Sequence, residues 1–299
     1  MNGLYALIKR NTKLFFKDKG MFFTSLITPV ILLVLYMTFL SNVYHDSFLS
    51  AMPDGFAVDE KLLNGIVGGQ LVSSLLAVCC VTVSFCSNML MVQDKVTGAR
   101  KDLTVTPVKG SVMALGYYVS TAISTLIICF IAVIAGLIYL ANVGWYLSGT
   151  DILYIFLDVF LLVMFGTALS SIINFSLSSQ GQISAVGTII SAGYGFICGA
   201  YMPMSQFSDG LQKALSFLPG TYGTVLVRNH TMQGAFAEME KQGFPAGVVD
   251  DIKDSIDCNI YFFGDKVELG TMYAILGGTV AVLIAVYVLI NVFLGKKAK

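Results

Sequence analysis

Residues 66–92 read IVGGQLVSSLLAVCCVTVSFCSNMLMV, a run of apolar and small side chains without any Asp, Glu, Lys, Arg or His. An α-helix rises about 1.5 Å per residue, so about 20 residues cross the roughly 30 Å hydrocarbon core of a bilayer. A surface helix of a soluble protein would carry charges along one face. The run therefore predicts a membrane-spanning helix, and lipid is the solvent in which its neighbours must fold.

Five more stretches share this length and polarity. They cover residues 21–40, 112–140, 152–175, 183–204 and 270–294. Charged residues make up 12% of the chain, about half their share in an average soluble domain, and hydrophobic residues make up 56%. We therefore predict an all-α membrane protein with six transmembrane helices, folded as a single transmembrane domain over residues 1–299.

Basic residues are concentrated in alternate connections. Residues 1–20 contain five Lys or Arg, residues 93–110 contain four and the C-terminal tail contains three, whereas residues 41–65 contain one and residues 141–151 none. The positive-inside rule places the basic side of the membrane protein in the cytoplasm. Because six spans bring both ends to the same face, we predict that both termini are cytoplasmic.

Residues 1–20 carry apolar and basic side chains at helical spacing. The apolar positions share one face: Leu4, Leu7, Ile8 and Phe15. The basic positions form a stripe at i, i+4 spacing: Lys9, Lys13 and Lys17. This pattern predicts an N-terminal amphipathic interfacial helix on the anionic inner leaflet. A basic segment that only sets the topology is the alternative.

Residues 205–269 form the longest connection, between the fifth and sixth predicted spans. Residues 207–218 are amphipathic, and Pro219 and Gly220 are expected to break the helix after them. Residues 221–227 are apolar but too short to cross a bilayer. This combination predicts a re-entrant hairpin that enters from the outer face, where its irregular backbone must be buried in protein or line an aqueous cavity.

The remainder of this connection is acidic. Residues 229–269 contain eight Asp or Glu and three Lys. Pro245 is expected to begin a helix that runs to about Asp257, with Val249 and Ile252 facing inward. We interpret this outer segment as a cap that gates exit or contacts cationic cargo, with a solvated surface helix as the alternative.

No residue pattern for catalysis or metal binding occurs. The sequence lacks a phosphate-binding loop and an H-E-x-x-H motif, and no Cys has zinc-ligand spacing with a His. His45 and His230 are assigned to outer loops as solvated residues. Asp158, the one acid in a predicted span, is interpreted as a structural hydrogen-bond or ion-pair partner in preference to a proton relay. We therefore predict no catalytic site, no metal and no cofactor on this chain.

Polar side chains in the second span have two interpretations. Hydroxyl and amide groups commonly join membrane helices, and this packing role is the simpler one. The functional alternative is that some of them line a substrate route between two helical bundles. The candidates for that route are Gln70, Ser74 and Asn88.

Residues 93–110 connect the second and third spans on the predicted cytoplasmic side. Their charges favour a short helix, which is expected to end at Thr106 because Pro107 disfavours helical geometry in the residue before it. A rigid helix at the membrane edge can dock into a groove on a partner protein. An ordinary polar loop is the alternative.

Three segments of the chain resemble type-2 ABC transporter permeases, including the daunorubicin-resistance-like exporters. In residues 93–110 the resemblance is carried by Asp94, Gly98, Leu103, Thr106, Pro107 and Val108. After the fifth span it is carried by Gly199, Pro203, Leu211, Leu218, Pro219, Thr221, Tyr222 and Arg228. Near the first span it is carried by Lys17, Asp18 and Pro29. The chain departs from the family pattern where Ala99, Arg100 and Lys101 replace a commoner Gly-Thr-Leu, and in its longer outer segment.

The resemblance implies a permease subunit of an ATP-driven exporter. A separate ABC ATPase, which would bind ATP and magnesium, would contact a coupling segment made of Asp94, Lys95, Gly98, Arg100, Leu103, Thr106 and Pro107. A re-entrant exit region would contain Pro203, Pro219, Tyr222 and Arg228. A second permease copy, identical or related, would complete the pathway.

The expected cargo is an amphipathic drug, a peptide, a lipid or a glycan-type molecule, and no nucleic-acid partner is expected. The absence of a fused ATPase favours the plasma membrane of a bacterium or archaeon. Two other functions fit the sequence: a membrane sensor or scaffold partnered with an ATPase, and a gradient-driven secondary transporter. The second lacks support because residues 1–140 and 141–299 show no internal repeat.

Overall fold

The computed structural model describes residues 2–51, 59–106 and 108–294, and this part of the chain is almost entirely α-helical. Pro107 of the predicted coupling segment lies outside the described residues. The helices are α1 (Asn2–Lys17), α2 (Lys19–Leu35), α3 (Ser41–Ala51), α4 (Glu60–Val96), α5 (Ala99–Val105), α6 (Gly110–Val143), α7 (Gly149–Ser176), α8 (Gln180–Ile197), α9 (Asp209–Ser216), α10 (Pro219–Lys241), α11 (Ala246–Ser255) and α12 (Leu269–Leu294). Two short antiparallel strands, β1 (Tyr261–Phe262) and β2 (Asp265–Lys266), form a hairpin before α12.

Five helical segments are long and apolar enough to cross a membrane. They are Lys19–Asp46, Glu60–Val96, Gly110–Val143, Gly149–Ser176 and Leu269–Phe293. The first of them is continuous because a π-helical turn, Tyr36–Leu40, joins α2 to α3. The chain is therefore an all-α, multi-pass membrane protein, which confirms that part of the sequence prediction.

Helix α8 corresponds to the predicted span at residues 183–204 and is shorter than predicted. It has 18 residues and begins with a capping box in which Ser179 and Gln182 satisfy each other's backbone N–H groups. It ends at Ile197 because Gly199 adopts a φ of 67°, a left-handed conformation that stops helices. Helix α8 is not among the five apolar segments, so the six-span arrangement stays a prediction.

Helix α4 lies at the centre, and α2, α6, α7, α8 and α10 all pack against it. Small residues on both sides of these contacts let the backbones approach closely. A Cβ atom at Gly69 would come within 2.5 Å of Met232 on α10, and one at Gly166 on α7 would come within 3.0 Å of the Cys80 carbonyl oxygen. Almost every side chain of α4 from Leu62 to Asp94 is therefore buried.

Helix α10 departs from the predicted short segment. The predicted break is present, because α9 ends at Ser216, and Pro219 begins the next helix, since a proline in the first turn lacks only an N–H that would be unpaired there. The helix has 23 residues and continues past Val227 to Lys241, because α4, α7 and α12 bury its middle part. Residues 221–227 are therefore part of a longer helix than their apolar stretch indicated, and the re-entrant hairpin stays a prediction.

The two ends of the helical bundle carry different elements. At one end, α1 packs along α6, where Leu7 contacts Gly116, and α5 follows α4. At the other end, α11 starts directly after Pro245, as predicted, and buries Val249 and Ile252. The β1–β2 hairpin, which the sequence did not indicate, is tied to α11 because Lys266 donates a hydrogen bond to Asp250 at 2.7 Å. This hydrogen bond lowers the pKa of the Asp250 carboxyl.

Replacing Gly234 by Ala should destabilise the protein by about 1–3 kcal/mol, the usual cost of overpacking. A Cβ atom there would overlap the backbone carbonyl oxygen of Tyr146, which cannot rotate away. Gly277→Ala is the matched control because a Cβ atom at Gly277 meets nothing within 4 Å, so this helix should gain slightly in stability. Thermal unfolding in detergent measures both variants, and equal midpoints would contradict the close approach of α10 to Tyr146.

Candidate functional site

An open groove of about 710 Å³ lies between α2, α4 and α8. Its walls alternate apolar and hydroxyl-bearing side chains. The apolar ones include Met21, Ile27, Ile31, Met89 and Ile183, and the hydroxyl-bearing ones are Thr24, Thr28, Ser184, Thr188 and Ser191. Asp18, Gln93 and Gln180 lie at the end of the groove nearest α1 and α5. This volume and lining suit an amphipathic molecule of drug size.

The predicted pathway residues do not line this groove. Asn88 donates hydrogen bonds to Ser170 and Ser171 of α7, at 3.2 and 2.7 Å. Ser74 accepts a hydrogen bond from Arg228 at 3.3 Å, and Gln70 is 1% exposed beside Tyr44 and Ile66. All three side chains face the packed interior, and the polar groups of Asn88 and Ser74 bind neighbouring helices there. The groove surface of α4 is formed instead by Cys86, Met89 and Gln93.

Helix α5 leaves α4 through a sharp change of direction at Gly98, whose φ is 84°. The helix ends at Val105 with Thr106 as its last cap residue, which confirms the short helix predicted in residues 93–110. Leu103 packs against a buried cluster that includes Met113 and Tyr117. Val105, by contrast, is 87% exposed. Helix α5 therefore has one face held by the bundle and one face free to contact another protein.

Lys95 binds the carboxyl end of α7. Its Nζ donates hydrogen bonds to the carbonyl oxygens of Asn174, Phe175 and Leu177 at 3.2, 2.5 and 2.8 Å. The last carbonyls of a helix lack intrahelical donors, and the helix dipole favours a cation beside them. Arg100 of α5 lies over the Phe175 ring, 5.5 Å from its centroid. Two basic residues of the predicted coupling segment thus fasten α4 and α5 to α7.

Asp94 joins three helices through its carboxylate. Arg10 of α1 donates two hydrogen bonds to it, at 2.7 and 2.9 Å, and Tyr117 of α6 donates a third at 2.6 Å. This paired geometry is the strong form of a charge-assisted contact. The hydrogen bond with Asp94 is also the main cause of the raised pKa of Arg10. Sequence reasoning missed Arg10 and Tyr117, and the one available signal was that Arg10 lies outside the basic stripe of α1.

Arg228 of α10 is completely buried at the end of the bundle nearest α11. Its guanidinium donates hydrogen bonds to the Gly199 carbonyl oxygen at 3.1 Å and to the Asp257 carboxylate at 3.4 Å, besides the one to Ser74. Asp257 also accepts a hydrogen bond from the backbone N–H of Met204 at 2.7 Å. This cluster ties α4, α10, the chain after α11 and the turn that comes after α8.

The other predicted exit residues organise the chain around this cluster. Pro203 precedes the short 3₁₀ turn Met204–Gln206, and so lies beside the Arg228 cluster. Tyr222 donates a hydrogen bond at 2.6 Å back to the Ser216 carbonyl oxygen, which closes the end of α9. Pro219 begins α10 between them. The structure therefore places Pro203 next to Met204, which binds the Asp257 partner of Arg228, while Pro219 and Tyr222 form the α9–α10 junction.

His230 is not a solvated loop residue as predicted. It lies on α10, is 7% exposed, and places Nδ1 2.6 Å from the Asp158 carboxylate of α7. Tyr273 of α12 donates a hydrogen bond to the other oxygen of Asp158, and Tyr154 stacks on the His230 ring with centroids 4.8 Å apart. Asp158 therefore has partners on two other helices, which agrees with its interpretation as a structural hydrogen-bond or ion-pair partner. The apolar residues around His230 were the signal, but its assignment to a loop concealed them.

The family described as ABC-2 type transporter matches residues 2–230 of the chain. The matched range includes the groove, the Asp94 and Lys95 contacts, α5 and Arg228, and it ends before α11 and the β1–β2 hairpin. No curated protein matches the chain.

Combining Arg10→Met with Asp94→Asn should cost less stability than the two single changes added together. The two side chains share one charge-assisted contact, so the coupling energy should be about 1–3 kcal/mol. A thermal unfolding series of the parent, the two single variants and the double variant measures this coupling. Lys13→Met combined with Asp94→Asn is the control pair and should be additive, since Lys13 is exposed on the same helix. Additivity in the Arg10 series would contradict the contact.

Proposed function

We propose that this chain, which belongs to the ABC-2 type transporter family, is the transmembrane permease subunit of an ATP-driven exporter. Members of this family are membrane permease components of ABC transporters and normally partner with an ABC ATPase subunit. The observation that carries the proposal is α5, a short helix with one face anchored through Leu103 and Arg100 and one face exposed.

The proposed orientation comes from the charge distribution. Residues 1–20 and 93–110 are basic, so α1 and α5 would lie at the cytoplasmic end and α11 at the outer end. Helix α8 would be the fifth of six spans, with both termini in the cytoplasm of a bacterial or archaeal cell. The whole of residues 1–299 would then act as one transmembrane domain in the plasma membrane.

Coupling to ATP would run through rigid elements. A separate ABC ATPase, with ATP and magnesium bound to it, would press on the exposed face of α5 around Val105 and Lys101. Because Lys95 holds the end of α7 and Asp94 holds α1, this push would move α1, α4 and α7 together. Such rigid-body shifts between two packed states are the usual form of allosteric coupling.

The groove between α2, α4 and α8 would form half of the substrate route. A second permease copy, identical or related, would close its open side, and the hydroxyl-dotted apolar lining suits an amphipathic drug, a peptide or a lipid. At the outer end, α9 and the start of α10 would form the re-entrant hairpin. Gly220 supports this because it lies against Phe165, well inside the length of α7.

One observation favours a second function. The Asp158, His230 and Tyr273 cluster joins three helices through ionisable groups in the apolar bundle, which is where gradient-driven carriers place proton sites. A secondary transporter is therefore the alternative with structural support. A sensor partnered with an ATPase would use the same α5 surface without moving cargo.

Vesicles containing the chain and its co-purified ABC ATPase separate these functions. With a panel of labelled amphipathic drugs, peptides and lipids, we expect accumulation that requires ATP and stops when the ATPase is inactivated. Uptake driven by a proton gradient without ATP would identify a secondary carrier instead. Normal ATP hydrolysis without movement of any panel member would identify a sensor, and failure to co-purify an ATPase would contradict all ATPase-coupled functions.

Replacing Gly98 by Val should uncouple ATP hydrolysis from transport without unfolding the helical bundle. A Cβ atom at Gly98 meets nothing within 4 Å, so the effect comes only from its φ of 84°, which a β-branched residue resists. The direction of α5 should then change while the five apolar segments stay packed. Gly98→Asn is the matched control, because Asn tolerates the left-handed conformation and should keep most of the coupled transport. If Gly98→Val transports as well as Gly98→Asn, the assignment of α5 as the coupling helix fails.

A further inference from the structure

Three aromatic rings form an exposed cluster where the α9–α10 junction meets the β1–β2 hairpin. Phe217 contacts Phe262 and Phe263 edge-to-face, with centroids 5.1 and 5.9 Å apart. Phe217 is 59% exposed and Phe263 is 66% exposed. Leu218 beside them is also exposed. Within the described residues this aromatic cluster is an apolar surface that the fold itself leaves uncovered.

The hairpin holds Phe263 at its tip in an unfavourable backbone conformation. Phe263 and Gly264 form the two-residue turn, and both have positive φ values, 52° and 99°. Turns of this kind favour Asn, Asp or Gly at the first position, since a bulky side chain costs roughly 1–2 kcal/mol there. Phe263 packs edge-to-face on Phe217 and Phe262, yet most of its side chain stays exposed, so a contact outside this chain would offset the remaining cost.

Depth along α7 locates the cluster. Gly220 lies against Phe165, which is about 24 Å of helical rise beyond the start of α7 at Gly149. Phe217 is three residues before Gly220 and therefore within about 10 Å of it. Even at that limit Phe217 lies about 14 Å further into the bundle than Gly149, the first residue of α7. The hydrocarbon core occupies this level if α7 spans the bilayer.

The aromatic cluster lies on the side of the bundle where α12 begins. The hairpin ends at Lys266, and α12 begins at Leu269, so the two are joined by very few residues. Helix α12 packs on α6, α7 and α10 and exposes large apolar side chains along the rest of its surface, including Val282 and Leu289. The aromatic cluster therefore lies near the start of this apolar helix. The groove, in contrast, is formed by α2, α4 and α8.

We infer that the aromatic cluster of Phe217, Phe262 and Phe263 inserts into the lipid bilayer and anchors the α9–α10 junction to it. The occupant of this surface is phospholipid, at the level of its acyl chains. The inference that this is the outer leaflet rests on the proposed orientation, whereas the lipid contact itself does not.

Single-tryptophan variants in proteoliposomes test the insertion. The chain has one tryptophan, Trp145, so Phe263→Trp is made in a Trp145→Phe background. We expect phosphatidylcholine brominated near the headgroup end of its acyl chains to remove most of the fluorescence at position 263, while aqueous iodide removes little. Phe217→Trp in the same background should behave alike and covers the case in which the turn variant does not fold.

The matched control is Asp251→Trp, which replaces an exposed residue of α11 and should show the opposite pattern. Strong quenching of the tryptophan at position 263 by iodide would overturn the inference in favour of a solvated surface. Insensitivity to both quenchers would overturn it in favour of a protein partner or a second copy of the chain. Each variant must elute from a sizing column as the parent does. The fluorescence measurement does not require ATP. Its result therefore tests the lipid contact independently of the exporter function.

Discussion

The close packing of other helices around α4 is the constraint on which the structure depends. Apolar helices in lipid gain little from the hydrophobic effect, so they associate through close contact and polar bonds. Small residues such as Gly69 and Gly166 allow that contact. Helix α4 also carries Met89 of the groove and Asp94 of the three-helix contact with α1 and α6. A displacement of this one helix would therefore change the groove and the contacts with α1 and α6 together.

The charged side chains within the bundle hold distant segments of the chain together. A charge at the middle of a bilayer costs about 2.5–3.5 kcal/mol on insertion scales, so each one needs a partner. Lys95 satisfies the last carbonyls of α7, Arg228 binds Asp257, and Asp158 lies beside His230. Every pair joins segments that are distant in sequence. The polar groups thus fix which helices are held together.

Sequence patterns predicted the structure correctly where the conformation of a segment depends on its own residues. The five apolar segments, the short helix before Pro107 and the helix after Pro245 were predicted correctly from length, polarity and proline chemistry. Predictions failed where packing against other helices determines the conformation of a segment. Pro219 begins a long helix because α4, α7 and α12 bury the residues after it, and no feature of residues 221–227 records those contacts.

The sequence by itself determined that this protein lives in a membrane, which side chains are apolar enough to meet lipid, and which family it resembles. Only the tertiary structure decided that His230 belongs with Asp158, that Arg10 belongs with Asp94, and that a groove opens beside α8. The physical reason is that hydropathy is a property of each segment, whereas a polar contact inside a bundle depends on how two distant helices are rotated about their axes.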